Sequence, residues 1–573
     1  MSDLQMEPDA IRSQIIEAQG HTLIRGGPGS GKTTVALMRS AREIERLKSE
    51  QQILFLSFSR AAIFQVADRM KSMVSSDQTK RIEMRTFHSW CLDVILSHGH
   101  LFSAKAARVI APDVEGLLRS DFDGDWKAET SRLAAQEGVF VFDLLATYVA
   151  DLFERSARLL HAYSSAYPVI VVDEFQDTSE DQWRIVKSLS KQSVVICLAD
   201  PDQFLFGHID GVTEERISEA LEFLSAHDFD LSHDNFRSPE TGILDYANAV
   251  LRGSSIEVPD SVVDISYTGT DYLDRLHTYV CTLRDLHQRE HGKEPTIAVL
   301  STTNQLVARI STEFLRPNER APAIDHELVW DAETTAAAGY VVATILEWPK
   351  LSRQDAVARS LSAISDFYRV KFSVAVSRSG GRGSQTAKTT FQRIDREIDS
   401  MRSGKPTRLK ISKTLENAFD SQVELVGNSV KDWFEARSRL QGTDELEEVR
   451  KSAQLLRLLR ATDLLAWSLI ECWDGQSAYV GAVDMVHAVL TTQLTDLDTV
   501  GRSKTSLMSM HRSKGKEFEI VIIVEDQYQG RLLDESWDEA RIQANRRLLR
   551  VGISRAKKRV ILIRPANAVS LTG

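Results

Sequence analysis

Residues 21–40 read HTLIRGGPGSGKTTVALMRS, and the fold of the chain is decided there. A short apolar strand (Leu23, Ile24) runs into Gly26, four further residues and then Gly31-Lys32-Thr33, after which a helical stretch follows. Strand, glycine-rich turn and helix in that order make a phosphate-binding loop in its proper context. Glycines let backbone N–H groups turn inward around phosphates, and the helix N-terminus adds its dipole. In this pattern Lys32 neutralises the β- and γ-phosphates and the Thr33 hydroxyl ligates Mg2+. Gly26, Gly27, Pro28, Gly29, Ser30, Gly31 and Thr34 complete the expected cradle.

A second segment supplies the acid groups such a site needs. Val169-Ile170-Val171-Val172 leads into Asp173-Glu174-Phe175-Gln176-Asp177-Thr178. Four apolar residues ending in two carboxylates read as a buried parallel strand that delivers acids at its C-terminal end. Asp173 is placed to hold Mg2+, directly or through water, and Glu174 to polarise an attacking water.

Bulk properties narrow the class further. A chain of 573 residues is too long for one ordinary core and suggests three or four domains. Its net charge of −11 argues against coating a polyanion through overall charge, while leaving room for a local basic track. Cys91, Cys197, Cys281 and Cys472 form no C-x-x-C pair, so zinc and disulfide scaffolds are not expected, and a reducing cytoplasm is the simplest setting. No apolar run approaches the ~20 residues needed to span a bilayer, so no membrane partner is expected. The polar, acidic N-terminus does not read as a secretory signal.

The string DEFQDTS (Asp173–Ser179) resembles the signature of UvrD/Rep-like superfamily 1A DNA helicases. Further segments resemble that family's motifs in the family's order: SFSRAA (57–62), TFHSW (86–90), ADPDQFLFG (199–207), NFRS (235–238), HRSKGKEF (511–518) and RRLLRVGISRA (546–556). The resemblance implies an α/β fold of two RecA-like parallel-sheet motor domains with two mainly helical insert domains. The expected boundaries are 1–88 and 166–240 for the first motor domain, 89–165 for its insert, 241–345 and 496–573 for the second, and 346–495 for the second insert. It also implies ATP as the nucleotide. Gln203, after the apolar strand Val194–Leu198, would sense the γ-phosphate. Arg237 and Arg555 would close on the transferring phosphoryl group, where a planar, permanently charged guanidinium suits phosphate oxygens. Phe236 would stack on adenine, Glu517 would contact the ribose, and Gln14 is the choice for an upstream adenine reader.

Single strands are held without sequence preference by polar groups that track the backbone and by aromatic faces that stack bases. Phe58, Arg60, Phe87, His88, Phe206 and His208 fall in motifs whose family counterparts line that channel; the alternative for Phe58 and Phe87 is that they are core residues. The chain departs from the family here. Phe206, His208 and Ile209 stand where tyrosine, tryptophan and arginine are usual, and Asn545 and Arg550 where the family tends to have an acid and a tyrosine.

Residues 369–413 hold twelve Lys/Arg against three Asp/Glu, a local +9. This reads either as a contact for duplex nucleic acid or an acidic partner, or as a solvated helical face. The chain ends 17 residues after Ala556, so a fused nuclease is not expected and any cutting would fall to a separate nuclease subunit. The favoured expectation is single-strand-stimulated ATP hydrolysis driving 3′→5′ movement on single-stranded or partly duplex DNA, in repair or recombination. The compact chain also resembles Gabija-type anti-phage helicase subunits. The alternative is an ATP-gated regulatory or partner-binding subunit of a nuclease complex with little unwinding of its own.

Overall fold

The computed structural model describes residues 9–573 except 59–62, 64–65, 68–69, 71–74, 111–114, 116–117, 120–121, 123, 205–211, 214, 270, 330–332, 379–384, 455, 457–460, 497–502 and 528–529. The first strands are β1 (Thr22–Arg25), β2 (Ile53–Ser57), β3 (Ile82–Thr86), β4 (Arg108–Ile110) and β5 (Val139–Val141). Next come β6 (Val169–Val172), β7 (Val194–Ala199), β8 (His227–Asp230), β9 (Val262–Tyr267) and β10 (Ile297–Ser301). The last are β11 (Glu327–Val329), β12 (Thr505–Ser509), β13 (Phe518–Val524) and β14 (Ala556–Pro565).

Two six-stranded sheets result, ordered β3-β2-β6-β7-β1-β8 and β11-β12-β10-β13-β14-β9; β4 and β5 pair separately. Every pairing within the two six-stranded sheets is parallel. Parallel strands need both faces covered, which is why β2 (ILFLS) and β6 (VIVV) are apolar and buried along their whole length. Alternation then splits each strand between two cores. Phe55 and Val171 join Ile24, Val35, Leu37, Ile196 and Leu198 on one face. Leu54, Leu56, Ile170 and Val172 join Trp90, Trp183 and the apolar sides of the helices Leu145–Arg155 and Ala157–Ala166 on the other. Those two helices lie in the stretch expected as the first insert, yet they share the core of the first sheet. In the second sheet Leu300, Val521, Ile523, Val560 and Leu562 pack with Tyr246, Val250 and Leu549.

The chain forms two compact units. One comprises Met1–Val109, Leu133–Val329 and Val500–Gly573 and carries both six-stranded sheets; the other comprises Ile110–Arg132 and Trp330–Thr499. The second unit is mainly helical. Its helix Gln385–Arg402 buries Ala387, Thr390, Phe391, Ile394, Ile398 and Met401, a three-to-four residue stripe, so Lys388, Arg393, Arg396 and Arg402 face outward. Among the described residues, no helix is long and apolar enough to cross a membrane.

Candidate active site

The phosphate loop begins where β1 ends. The Gly26 amide donates to the Ala199 carbonyl at the end of neighbouring β7 (3.1 Å). A side chain at Gly26 would collide with Ser30 Oγ, 2.4 Å from an added Cβ. Gly29 and Gly31 take positive φ (+80° and +88°), a conformation that side-chain-bearing residues rarely adopt. Gly31 precedes the helix Lys32–Ile44, whose N-terminus has no side-chain cap. Its first amides are therefore open to an anion. Lys32 Nζ donates to the carbonyls of Gly26 (2.5 Å) and Gly27 (3.0 Å). Burial pushes the Lys32 ammonium's pKa down, against the charges of Asp200, Glu174 and Asp173. Thr33 and Thr34 are half-buried on the first helical turn, and the buried Ser30 hydroxyl has no hydrogen-bond partner among the described residues.

Asp173 and Glu174 leave the C-terminal end of β6. The Asp173 amide donates to the Leu56 carbonyl of β2 (2.9 Å), extending the ladder by one residue before the chain turns. Glu174 makes that turn at φ +52°, ψ +40°, strained for a residue with a side chain. Burial and the adjacent Glu174 charge push the Asp173 carboxyl's pKa up. Burial also pushes Glu174 up, but the Lys514 and Lys32 ammoniums outweigh it and hold that carboxyl low. Gln176 Nε2 donates to Glu174 Oε2 (2.7 Å), and its Oε1 accepts from the Asp200 amide (3.0 Å). Gln203 follows β7 and donates through Nε2 to Asp200 Oδ2 (2.8 Å). One hydrogen-bonded chain thus runs from Glu174 to Gln203.

Groups carried by the second sheet meet this chain. Arg555, 2% exposed at the start of β14, donates to Gln203 Oε1 (3.3 Å) and to the Val551 carbonyl (2.9 Å). Burial and the nearby Arg237 charge push its pKa down to about 9, so it stays protonated at neutral pH. Arg237 has its backbone against the phosphate loop: a Cβ on Gly29 would lie 2.5 Å from Arg237 Cβ. Its guanidinium donates to Glu517 Oε1 (2.8 Å) and the Ser554 carbonyl (3.0 Å). Glu517 also pairs with Lys557 at 3.0 Å.

Two cations here were not assigned a role from sequence. Lys514 pairs with buried Asp177, lies 3.4 Å from Glu174 and donates to the Gln203 carbonyl (3.3 Å). Arg550, 2% exposed, lies 3.5 Å from Asp200 and 3.3 Å from Asp202. Lys514 lies in HRSKGKEF and Arg550 in RRLLRVGISRA, but their carboxylate partners are more than 300 residues away along the chain.

Phe236 places an exposed ring beside the loop, its amide donating to the Gly29 carbonyl (2.8 Å). The guanidinium of Arg12 sits over that ring at 4.9 Å. Arg12 belongs to the helix Ala10–Glu17, is 1% exposed, and donates to the Ser30 carbonyl (2.9 Å) and Asp234 (2.6 Å). Gln14 is exposed on the same helix, two residues and therefore more than half a turn away. The residue seen in contact with the loop is Arg12.

Of the residues expected to line a strand channel, Arg60, Phe206 and His208 lie outside the described residues. Phe87 is 1% exposed in the core, because the helix Phe87–His98 starts directly after β3 and turns its first side chain inward. It offers no open face to a base. Phe58 is half-buried against it, ring centroids 5.8 Å apart, and exposed His88 stacks on Phe142 at 5.4 Å.

A loop lined by amides and a lysine, an adjacent carboxylate pair, Arg237 against the loop and Arg555 reaching in from a second parallel sheet define a P-loop nucleoside triphosphatase of RecA-like design. Residues 8–132 and 123–215 match the UvrD/REP helicase N-terminal domain, and residues 388–566 the UvrD-like helicase C-terminal domain. The chain belongs to the UvrD-like superfamily 1A helicases and is an enzyme of that class. It is similar to the ATP-dependent DNA helicase PcrA of Staphylococcus aureus (strain Mu50 / ATCC 700699), 25% identical over 630 residues that cover 97% of this chain and 82% of the relative. PcrA of Staphylococcus epidermidis is 23% identical over 627 residues (96% and 82%), and PcrA of Leuconostoc citreum 22% over 618 (95% and 80%).

Proposed function

We propose that this chain is an ATP-dependent DNA helicase that hydrolyses ATP at Gly26–Thr34 and uses the turnover to move 3′→5′ along a single strand. The observation that carries the reading is the meeting of Gln203 and Arg555 at 3.3 Å, which joins the phosphate-loop sheet to the second sheet at the point of hydrolysis. Lys32 would neutralise the β- and γ-phosphates. Glu174, held ionised by Lys514 and Lys32, would take the proton from the attacking water. Arg237 and Arg555 would stabilise the charge that develops on the phosphoryl group, and Gln203 would register the γ-phosphate.

Thr33 and Asp173 fit a Mg2+ ion, since the repulsion between buried Asp173 and the adjacent Glu174 is relieved by added positive charge. Such an ion supplies charge neutralisation at the phosphates when bound. Phe236 is read as the base-stacking ring and Glu517 as the ribose contact. Because Arg555 reaches Gln203 from the second sheet and Arg237 is bonded across to Glu517 and Ser554 beside that sheet, hydrolysis depends on how closely the sheets approach, and that dependence links chemistry to movement.

For the strand, the proposed contacts are Phe58 and His88 together with Arg60, Phe206 and His208. In the helical unit, the side-chain charges of exposed Lys388, Arg396, Lys405, Arg408, Lys410 and Lys413 make no salt bridge among the described residues, which supports their use on duplex phosphates. The test is ATP turnover with and without single-stranded DNA, in the parent and in Lys32→Ala. The strand should stimulate the parent, and the variant should be inactive. Near-parent turnover by Lys32→Ala would overturn the assignment of the site.

A further inference from the structure

We propose that Arg550 is a positioning residue for hydrolysis, clamping Asp200 so that the Gln203 amide is held in one orientation between the two sheets. The inference rests on the ATPase reading above. The helix Glu539–Ile553 carries Arg550 near its C-terminal end, and Arg555 follows five residues later at the start of β14. Both guanidiniums are 2% exposed.

Each nitrogen of the Arg550 guanidinium has a partner. Nε donates to Asn248 Oδ1 (2.9 Å), Nη1 faces Asp200 Oδ2 (3.5 Å) and Nη2 faces Asp202 Oδ2 (3.3 Å). The Asp200 oxygen that faces Arg550 is the one that accepts from Gln203 Nε2 at 2.8 Å. With its amide nitrogen tied there, Gln203 turns its carbonyl oxygen to Arg555. Asp200 is itself 2% exposed, and its other oxygen accepts only from the Asp202 amide (3.0 Å) among the described residues. A buried carboxylate is stabilised by a cation close by, and among the described residues Arg550 is the cation in salt-bridge range.

The result is a closed polar ring: Arg550 to Asp200, Asp200 to Gln203, Gln203 to Arg555, and back through one turn of chain to Arg550. Two of its members come from the phosphate-loop sheet and two from the second sheet. A tyrosine at this position could donate one hydrogen bond but could neither carry the charge nor engage three acceptors. Arg550 does not need to touch nucleotide for this. It acts on the reaction through Asp200 and Gln203.

The test is steady-state ATP hydrolysis by the full chain, comparing Arg550→Gln, Arg550→Lys, Gln203→Ala and the double variant Arg550→Gln/Gln203→Ala. Nucleotide binding and thermal melting are followed in parallel. Arg550→Gln is expected to lower kcat at least about tenfold while KM for ATP moves less than about threefold, the pattern of an interaction that matters in the transition state. The double variant should be no slower than the slower single variant, because both act at one amide. Arg550→Lys, which keeps the charge without the fork, should fall between parent and Arg550→Gln. If Arg550→Gln does not fold, the same comparison is made with Arg550→Lys and Arg550→Lys/Gln203→Ala.

Parent-like kcat in Arg550→Lys and Arg550→Gln, or losses that multiply in the double variant, would overturn the proposal. A merely structural role would lower the melting temperature and leave kcat per folded molecule unchanged. Failure of the ATPase reading is distinguishable, since it would appear in the parent as absent turnover.

Discussion

At the scale of single residues, the site is made of groups whose neighbours leave them one task. Arg555 is buried, bonded to Gln203 and to the backbone of the preceding helix, and surrounded by the compensating charges of Glu174, Glu517 and Asp200. Arg555→Ala should retain ATP binding and lose about 10³-fold in kcat, the low end of what a transition-state arginine supplies. Equilibrium binding of a fluorescent nucleotide beside single-turnover hydrolysis separates the two effects; loss of binding with turnover retained would contradict the role. Gly29→Ala is a different kind of lesion. The new methyl would sit at φ +80° and 2.5 Å from Arg237 Cβ. It should cost about 1–3 kcal/mol of stability and raise KM for ATP, because loop and Arg237 segment would move apart. A melting curve and KM equal to the parent's would show that the contact is not tight.

Strands and helices explain which parts of this were readable from sequence. Gly26–Thr33, Asp173-Glu174 and Gln203 were legible because each sits at the end of an apolar strand, where local backbone geometry alone fixes the position. Arg12 was not: Gln14 and Arg12 are two residues apart on one short helix, and which faces the loop depends on how that helix docks. Phe87 was open between core and channel, and the immediate start of its helix after β3 settles its burial. Lys514 and Arg550 were invisible as partners of Asp177 and Asp200, since only the approach of the two sheets brings them together.

Two predictions belong to the sheets themselves. Ile170 is fully buried in β6, so Ile170→Ala should cost about 2–5 kcal/mol, read as a lower denaturant midpoint. Glu519 in β13 is pushed up by burial, but Lys558 and Lys293 and the Thr296 amide outweigh this and hold it at about 2. Its folded pKa lies below the unfolded value of about 4.3. The contribution to stability is therefore present above about pH 4.3 and is lost as pH falls towards 2. Glu519→Gln should be less stable than the parent at pH 6 and converge with it in acid. Parallel curves across that range would rule out this source of acid sensitivity.

At the scale of the molecule, two parallel sheets are joined through charged groups. Lys514 reaches Glu174 and Asp177, Arg550 reaches Asp200, and Arg555 reaches Gln203. Glu174, Gln203, Arg237 and Arg555 are thus each bonded between the two sheets, whereas Lys32 is held by its own loop. On the proposed reading, a change in the separation of the sheets changes the chemistry, and turnover in turn changes the separation. The most direct test of that claim is displacement of streptavidin from single-stranded DNA biotinylated at one end or the other. An ATP-dependent motor moving 3′→5′ should strip streptavidin from the 5′ end and leave the 3′ end untouched, with Lys32→Ala inactive at both. ATP hydrolysis without displacement from either end would contradict the motor, and displacement from the 3′ end alone would contradict its direction.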